Sequence, residues 1–490
     1  MSSKLNPIDI SNLGLYGVIR QSEVDDKLIP EGAVTEVQNF HFDRKGAATL
    51  RPGLTTLGAT ILTLTPAVGL HNAQSGTALA VFSNGSTSAI YSFNGSAWSM
   101  SLDGGTASVR IRFLDFGSYT IALNFFYNTY TSMRFWNAGS SRHWHVSGNP
   151  LNTDQMYGRA CQLGEVFTSR IYLAGDTSKE GNSSRLYFSE VIATSGTVSW
   201  DKSVNFVDIN PGDGEGITGL KRYSLQLLCF KPNYIYRFKS SGTDPDPLIK
   251  IGTRSNESIV EGKRGLYFHH DTGFYRYTGG YPEEISRPIS DFVDAISYSQ
   301  YSNIIGWKDT DHIYWSLGNL TISETTGNVS WKNVVIRFTE SSEIWTIYSY
   351  SNDIRAGIDY NSGSTITRIV GTDHGVVATF NSGTTDFGEI IKYRIVTKWY
   401  NGGNTGEKKI ANTIIGICEK SQEAVIMCQT DDNPEWNTIG QLRKYVNYYR
   451  NQGIKFHRIR FKVTGTSKSE SLIFQGLKVE EGINEGLTEN

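Results

Sequence analysis

The residues best suited to chemistry fall in three places. In SSRHWHVSGNP, His143 and His145 lie two positions apart, so an extended strand would set both imidazoles on one face. There they could fill two positions of a metal site that takes its third ligand from elsewhere. In LYFHHDTGF, His269 and His270 are adjacent and followed by Asp271; neighbours on a strand point to opposite faces, which suits polar residues at a turn edge better than a shared metal. NPGDGEGITG places Asp213 and Glu215 among glycines, with Asp208 just ahead, in the manner of a calcium loop. The ligand spacing and flanking helices of an EF-hand are missing, and a turn between strand units is the preferred reading.

No sequence matches GxSxG, GxxxxGK[ST] or HExxH. SFNGSAW at 92–98 approaches the Asp-box of sialidase propellers, S-x-D-x-G-x-x-W, but is one residue short and carries Asn94 in place of Asp. A glycosidase also needs paired carboxylates at controlled separation, which spacing along the chain does not show. The expectation is a protein that is not an enzyme and carries no cofactor and no metal.

The elements that would position these residues are strands. The chain has 490 residues with 50 Gly, 26 Tyr, 23 Phe and only 5 Met, a balance of turn formers and aromatics over helix formers. Lys plus Arg number 46 against 48 Asp plus Glu, a net charge of −2, so no global basic field grips nucleic acid, although local basic faces remain open. The N-terminal MSSKLNPIDISNLG has no secretory pattern and no run approaches a membrane span, so a soluble chain made in the cytoplasm is expected. Cys161, Cys229, Cys418 and Cys428 are scattered without zinc spacing and are expected to be buried thiols.

From about residue 66 a strand-turn-strand rhythm sets in. GTALAVFSNGSTSAIYSFNGSAWSMSL holds alternating apolar runs around Asn84-Gly85 and Asn94-Gly95, pairs that suit type I′ hairpins. Comparable units recur at roughly forty residues, the spacing of propeller blades. The predicted fold is all-β: an N-terminal arm and hairpin over 1–60 that helps close a ring, a β-propeller of roughly six to eight blades over 61–385, and a C-terminal antiparallel β-sandwich-like domain over 386–490. Within that last region QLRKYVNYYRNQG is a polar stretch that could carry a short helical turn. DTSKEGNSSR and SSGTDPDPLIK are predicted to project from the ring as loops.

Both ends and the middle of the chain resemble one group of proteins. VTEVQNFHFDRKGAATLRPGLTTLG, with Asn39, Gly46, Arg51, Pro52 and Gly53, is similar to the opening of tail proteins of short-tailed bacteriophages. KFHRIRFKVTGTSKSESLIFQGLKVEE, and the unit GKRGLYFHHDTGFYRYTGGYPEEISRPISDFV, resemble the closing strands and a blade of their packaged-DNA stabilisation or tail nozzle proteins. The quoted segments make up about a sixth of the chain, and none is catalytic. The resemblance implies a structural virion protein, forming a sixfold ring below the portal and adaptor. Such a ring would meet tail fibre or needle proteins, retain packaged double-stranded DNA in its channel without sequence preference, and open for ejection. Candidate gate or channel residues are Lys179, Glu180, Arg185, Asp244 and Asp246. Candidate subunit or adaptor contacts are Arg51, Pro52, Gly53, Arg458 and Arg460. A glycan-binding or glycan-degrading tail protein, or a neck or fibre-docking protein, is the alternative.

Overall fold

The computed structural model describes residues 7–480 apart from 22–24, 43–45, 62–64, 106–109, 128–129, 138–152, 157, 180, 192–197, 240–244, 325–326, 362, 364, 404–405, 407, 421–423 and 468–471. His143 and His145 lie outside the described residues. The fold is all-β, built of many small antiparallel sheets.

Seven of these sheets follow one another along the chain, the first six of them meanders whose strand order is the sequence order. The first runs from Ala67–Asn72 to Trp98–Gly105 and the second from Arg112–Phe116 to Tyr130–Asn137. The third runs from Cys161–Phe167 to Phe206–Asp208, the fourth from Gly219–Tyr223 to Pro245–Ile249, and the fifth from Val260–Glu261 to Glu283–Glu284. The sixth spans Ile305–Lys308 to Ile344–Ser349. In the seventh, Ile354–Asn361, Ile366–Thr372 and Val377–Phe380 are completed by Leu54–Thr56, a strand from the other end of the chain.

The apolar clusters explain why these sheets stay together. Ile90 and Val81 of the first sheet share a cluster with Ala122 of the second. Leu123 packs with Ile171, Leu186 with Leu227, and Phe230 with Phe268, which joins the second sheet through to the fifth. Phe274 meets Trp315, Tyr348 meets Val370, and Ile369 returns to Phe82 of the first sheet. Each sheet thus buries both faces between neighbours, and the cycle of contacts closes on itself.

Two larger sheets form a second unit around the largest core. One pairs Ile473–Glu480 with Thr413–Lys420 and also with the N-terminal strands Ile8–Ile10 and Ala48–Leu50. The other runs Val34–Gln38, Ile391–Thr397, Ile459–Ser467, Ala424–Thr430, Asn437–Leu442. Both therefore mix strands from the two ends of the chain.

Three local expectations are corrected. The stretch QLRKYVNYYRNQG is not helical: it supplies part of Asn437–Leu442 and all of Tyr445–Tyr449, with Tyr445 at φ +77° at the turn between them. PDPLI is not a projecting loop but the edge strand Pro245–Ile249, where the missing proline N–H groups cost no ladder bonds. The Asn-Gly hairpins are not type I′, because only Gly85 and Gly95 take positive φ. Asn84 and Asn94 instead accept backbone N–H groups through their side chains: Asn84 Oδ1 those of Ser86 and Thr87 at 3.0 and 2.8 Å, and Asn94 Oδ1 those of Ser96 and Ala97 at 3.0 and 2.8 Å.

Candidate functional site

The motif Asn39…Arg51-Pro52-Gly53 folds into one network where the cycle of sheets meets the second unit. Asn39 holds a left-handed backbone, φ +65°, which asparagine tolerates better than most residues. Its side-chain amide donates to the Lys392 carbonyl at 2.7 Å, while Oδ1 accepts from Arg51 Nε and from the Ser349 N–H, each at 2.8 Å. The other four guanidinium N–H groups of Arg51 go to both carboxylate oxygens of Asp386, at 2.9 and 2.6 Å, and to the Pro52 and Ser349 carbonyls, each at 2.9 Å. All five donors of the fork are used. The guanidinium also lies 3.8 Å from the Tyr350 ring centroid.

Gly53 completes the latch. A Cβ there would sit 1.9 Å from the Thr385 carbonyl oxygen, so only glycine lets the chain pass. Just beyond, Leu54 N–H donates to that carbonyl and Leu54–Thr56 enters the seventh sheet. Arg51 and Gly53 are buried, and Arg51 is 2% exposed with its donors saturated inside its own chain. The expected role of Arg51, Pro52 and Gly53 as subunit contacts is thereby replaced by an internal one for Arg51 and Gly53; Pro52, half-buried, lends its carbonyl to the same network.

Charged side chains bridge several of these sheets. Arg112 of the second sheet makes a two-pronged ion pair with Glu257, which precedes the fifth sheet, and Arg110 Nη1 lies 3.6 Å from the same carboxylate. Arg112 also donates to the Gln162 carbonyl of the third sheet at 3.3 Å, and Lys221 of the fourth reaches Glu165 of the third at 3.9 Å. Burial alone raises the Glu257 carboxyl, but Arg112 and Arg110 outweigh it and hold it down to about 2.

The projected gate residues fare unevenly. Lys179 is exposed, whereas Glu180 and Asp244 lie outside the described residues. Arg185 is not on a loop: it opens the strand Arg185–Phe188, pairs with Asp208 at 2.6 and 2.8 Å, and stacks 3.6 Å from the Phe206 centroid. Asp246 sits on the edge strand, exposed, 3.6 Å from Arg237.

The calcium-like loop is closed by a lysine. Lys231 Nζ, fully buried, donates to both Asp213 oxygens at 2.8 Å and to the Asn210 carbonyl at 3.1 Å, so an ammonium occupies the place a cation would take. His269 is buried with neither ring nitrogen hydrogen-bonded, against Phe274 and Tyr301 at 5.0 Å each, and burial, with His270 beside it, pushes its imidazole down to about 3. His270 instead bonds the Thr272 hydroxyl at 2.9 Å. A group that spacing along the chain did not bring forward is Asp431, Asp432 and His457, close enough to share an ion; Asp432 pairs with Lys408 at 2.7 Å and the Asp431 carboxylate accepts two backbone N–H groups.

Arg458 and Arg460 share one face with Trp399, as alternation along the strand requires. Beside them a cleft of about 420 Å³ is lined by Trp399, Tyr400, Asp9, Asp25, Glu31 and Arg458, among others.

No family model matches the chain, and no curated protein matches it. Among solved structures, it is similar to the extracellular domain of the BT4673 one-component system of B. thetaiotaomicron, at 11% identity and a TM-score of 0.41, over 67% of this chain and 40% of that one. The same domain described as part of a hybrid two-component system gives 10% identity and a TM-score of 0.42, over 67% and 39%. The chain thus spans about two fifths of those structures, and likenesses this distant carry no functional argument.

Proposed function

We propose that this chain is a structural subunit of a bacteriophage tail, of the packaged-DNA stabilisation or nozzle type, with its seven sheets as the blades of a β-propeller. The observation that supports this reading is the latch. Asn39, Arg51 and Gly53, the residues that carry the resemblance, tie the strand that completes the seventh sheet to the sheets of the second unit. A ring locked by a strand from its far end resists opening, which is what a wall holding pressurised DNA requires.

In this reading the chain assembles as a hexamer below the portal and adaptor and meets fibre or needle proteins at its free end. The DNA path runs between copies. Release is a shift between two packed arrangements of the assembly, with Lys179 and Asp246 among the exposed groups available to move. Particles assembled without this chain are expected to package DNA and then lose it, whereas particles that hold their genome equally well would contradict the reading. The cleft beside Trp399 favours a second reading, a glycan-binding tail protein, for which soluble host polysaccharide should quench tryptophan fluorescence.

A further inference from the structure

From Trp436 to Lys462 the chain carries Arg443, Lys444, Arg450, Lys455, Arg458, Arg460 and Lys462 and not one Asp or Glu. The last three alternate along a single line that ends in the strand Ile459–Ser467, on the side facing away from the largest core. Two half-buried tryptophans are interleaved with them. Arg458 and Arg460 lie 5.4 and 4.7 Å from the Trp399 centroid, and Arg460 and Lys462 lie 5.3 and 4.3 Å from that of Trp436. Arg460 Nε also donates to Gln429 at 2.6 Å, which holds the guanidinium in place.

Most carboxylates near this line have partners of their own: in the cleft beside Arg458, Glu31 pairs with Lys398 at 2.9 Å and Asp9 with Lys478 at 3.2 Å, while Glu435 is exposed next to Trp436. Glu36 pairs with Arg20 and Arg394, Asp432 with Lys408, and Asp431 accepts the backbone N–H groups of His457 and Arg458. Partial burial and the nearby Arg394 and Arg460 hold the Lys462 ammonium below its ordinary value, with Glu36 opposing. The local field is therefore positive although the whole chain is slightly acidic.

We infer that this face docks the phosphate backbone of double-stranded DNA. Cations at every second strand residue stand about 6.6 Å apart, close to two axial steps of about 3.4 Å along one DNA strand. A regular row suits a periodic polyanion better than an acidic protein patch. Two cations lie over each tryptophan ring, so the rings serve to orient charge, which favours duplex over single strand. The inference deepens the tail reading and rests on it for the identity of the partner, whereas the salt series below tests this surface separately from genome retention.

The test is fluorescence anisotropy of a short labelled duplex with the full chain across a salt series. Three neutralised phosphates give a log–log slope of about −2.7. The double variant Arg460→Gln/Lys462→Gln should flatten that slope by about 2 and weaken binding at least tenfold, with Lys462→Arg retaining it. Arg287→Gln, at a site 83% exposed in another sheet's approach, should leave binding unchanged. Circular dichroism checks that each variant is folded. Absence of salt-dependent binding, equal loss in Arg287→Gln, or competition by polyglutamate or single-stranded DNA as strong as by duplex would overturn the inference.

Discussion

Arg51 and Asp386 stand 335 positions apart in the chain and meet in a buried bidentate ion pair, at 2.9 and 2.6 Å. The pair welds the opening motif to the segment that follows the seventh sheet. Removing one partner leaves the other charge buried and unpaired, at a cost of about 3–5 kcal/mol. Arg51→Met and Asp386→Asn should each lower stability by that order in denaturant titration, and Arg51→Lys should not rescue it because an ammonium cannot reproduce the fork. A loss below about 1 kcal/mol, the range of exposed pairs, would contradict the latch.

Gly53 and Gly85 provide a matched comparison. A methyl at Gly53 meets a backbone carbonyl at 1.9 Å, while at Gly85, φ +86°, it meets nothing within 4 Å. Gly85→Ala should cost about 1–2 kcal/mol through backbone conformation alone. Gly53→Ala should cost more, or prevent folding, read out as soluble yield and thermal midpoint; equal effects would remove the close-approach argument.

Acid should loosen the cycle of sheets in two steps. His269 is buried as the neutral imidazole, so protonation is easier in the unfolded chain, and stability falls as pH drops below about 6.5 toward 3. Glu257 is depressed to about 2 from a usual 4.5, so the stability it supplies is intact above about 4.5 and is lost as pH falls toward 2. Each unit of separation corresponds to about 1.4 kcal/mol. His269→Phe should flatten the stability profile between pH 6.5 and 4 without touching the lower step; an unchanged profile would show that His269 is not buried neutral.

Lys231→Met should release Asp213, whose carboxyl burial alone would raise but which Lys231 and its other hydrogen bonds hold below its ordinary value. A rise in the Asp213 titration midpoint by NMR is expected. Added calcium should leave the thermal midpoint of the parent chain unchanged, and a shift would reinstate the loop as a calcium site.

Local chemistry was legible from the residues: apolar alternation marked the strands, and Asn-Gly pairs marked the hairpin at Asn94, whose side chain accepts two backbone N–H groups. What escaped was long-range. Ile8–Ile10 and Val34–Gln38 look like loose N-terminal strands until their partners, Ile473–Glu480 and Ile391–Thr397, supply the pairing. Arg51 looked like a surface contact because its carboxylate lies so far along the chain. The two prolines of Pro245–Ile249 suggested a loop, since an edge strand's indifference to missing N–H groups depends on neighbours that spacing does not reveal.

The central claim is tested most directly by cryogenic electron imaging of the purified chain, alone and with portal–adaptor complexes. A ring of six around an axial opening, with that opening between copies, is the predicted result. A stable monomer or trimer that ignores the portal complex would contradict it.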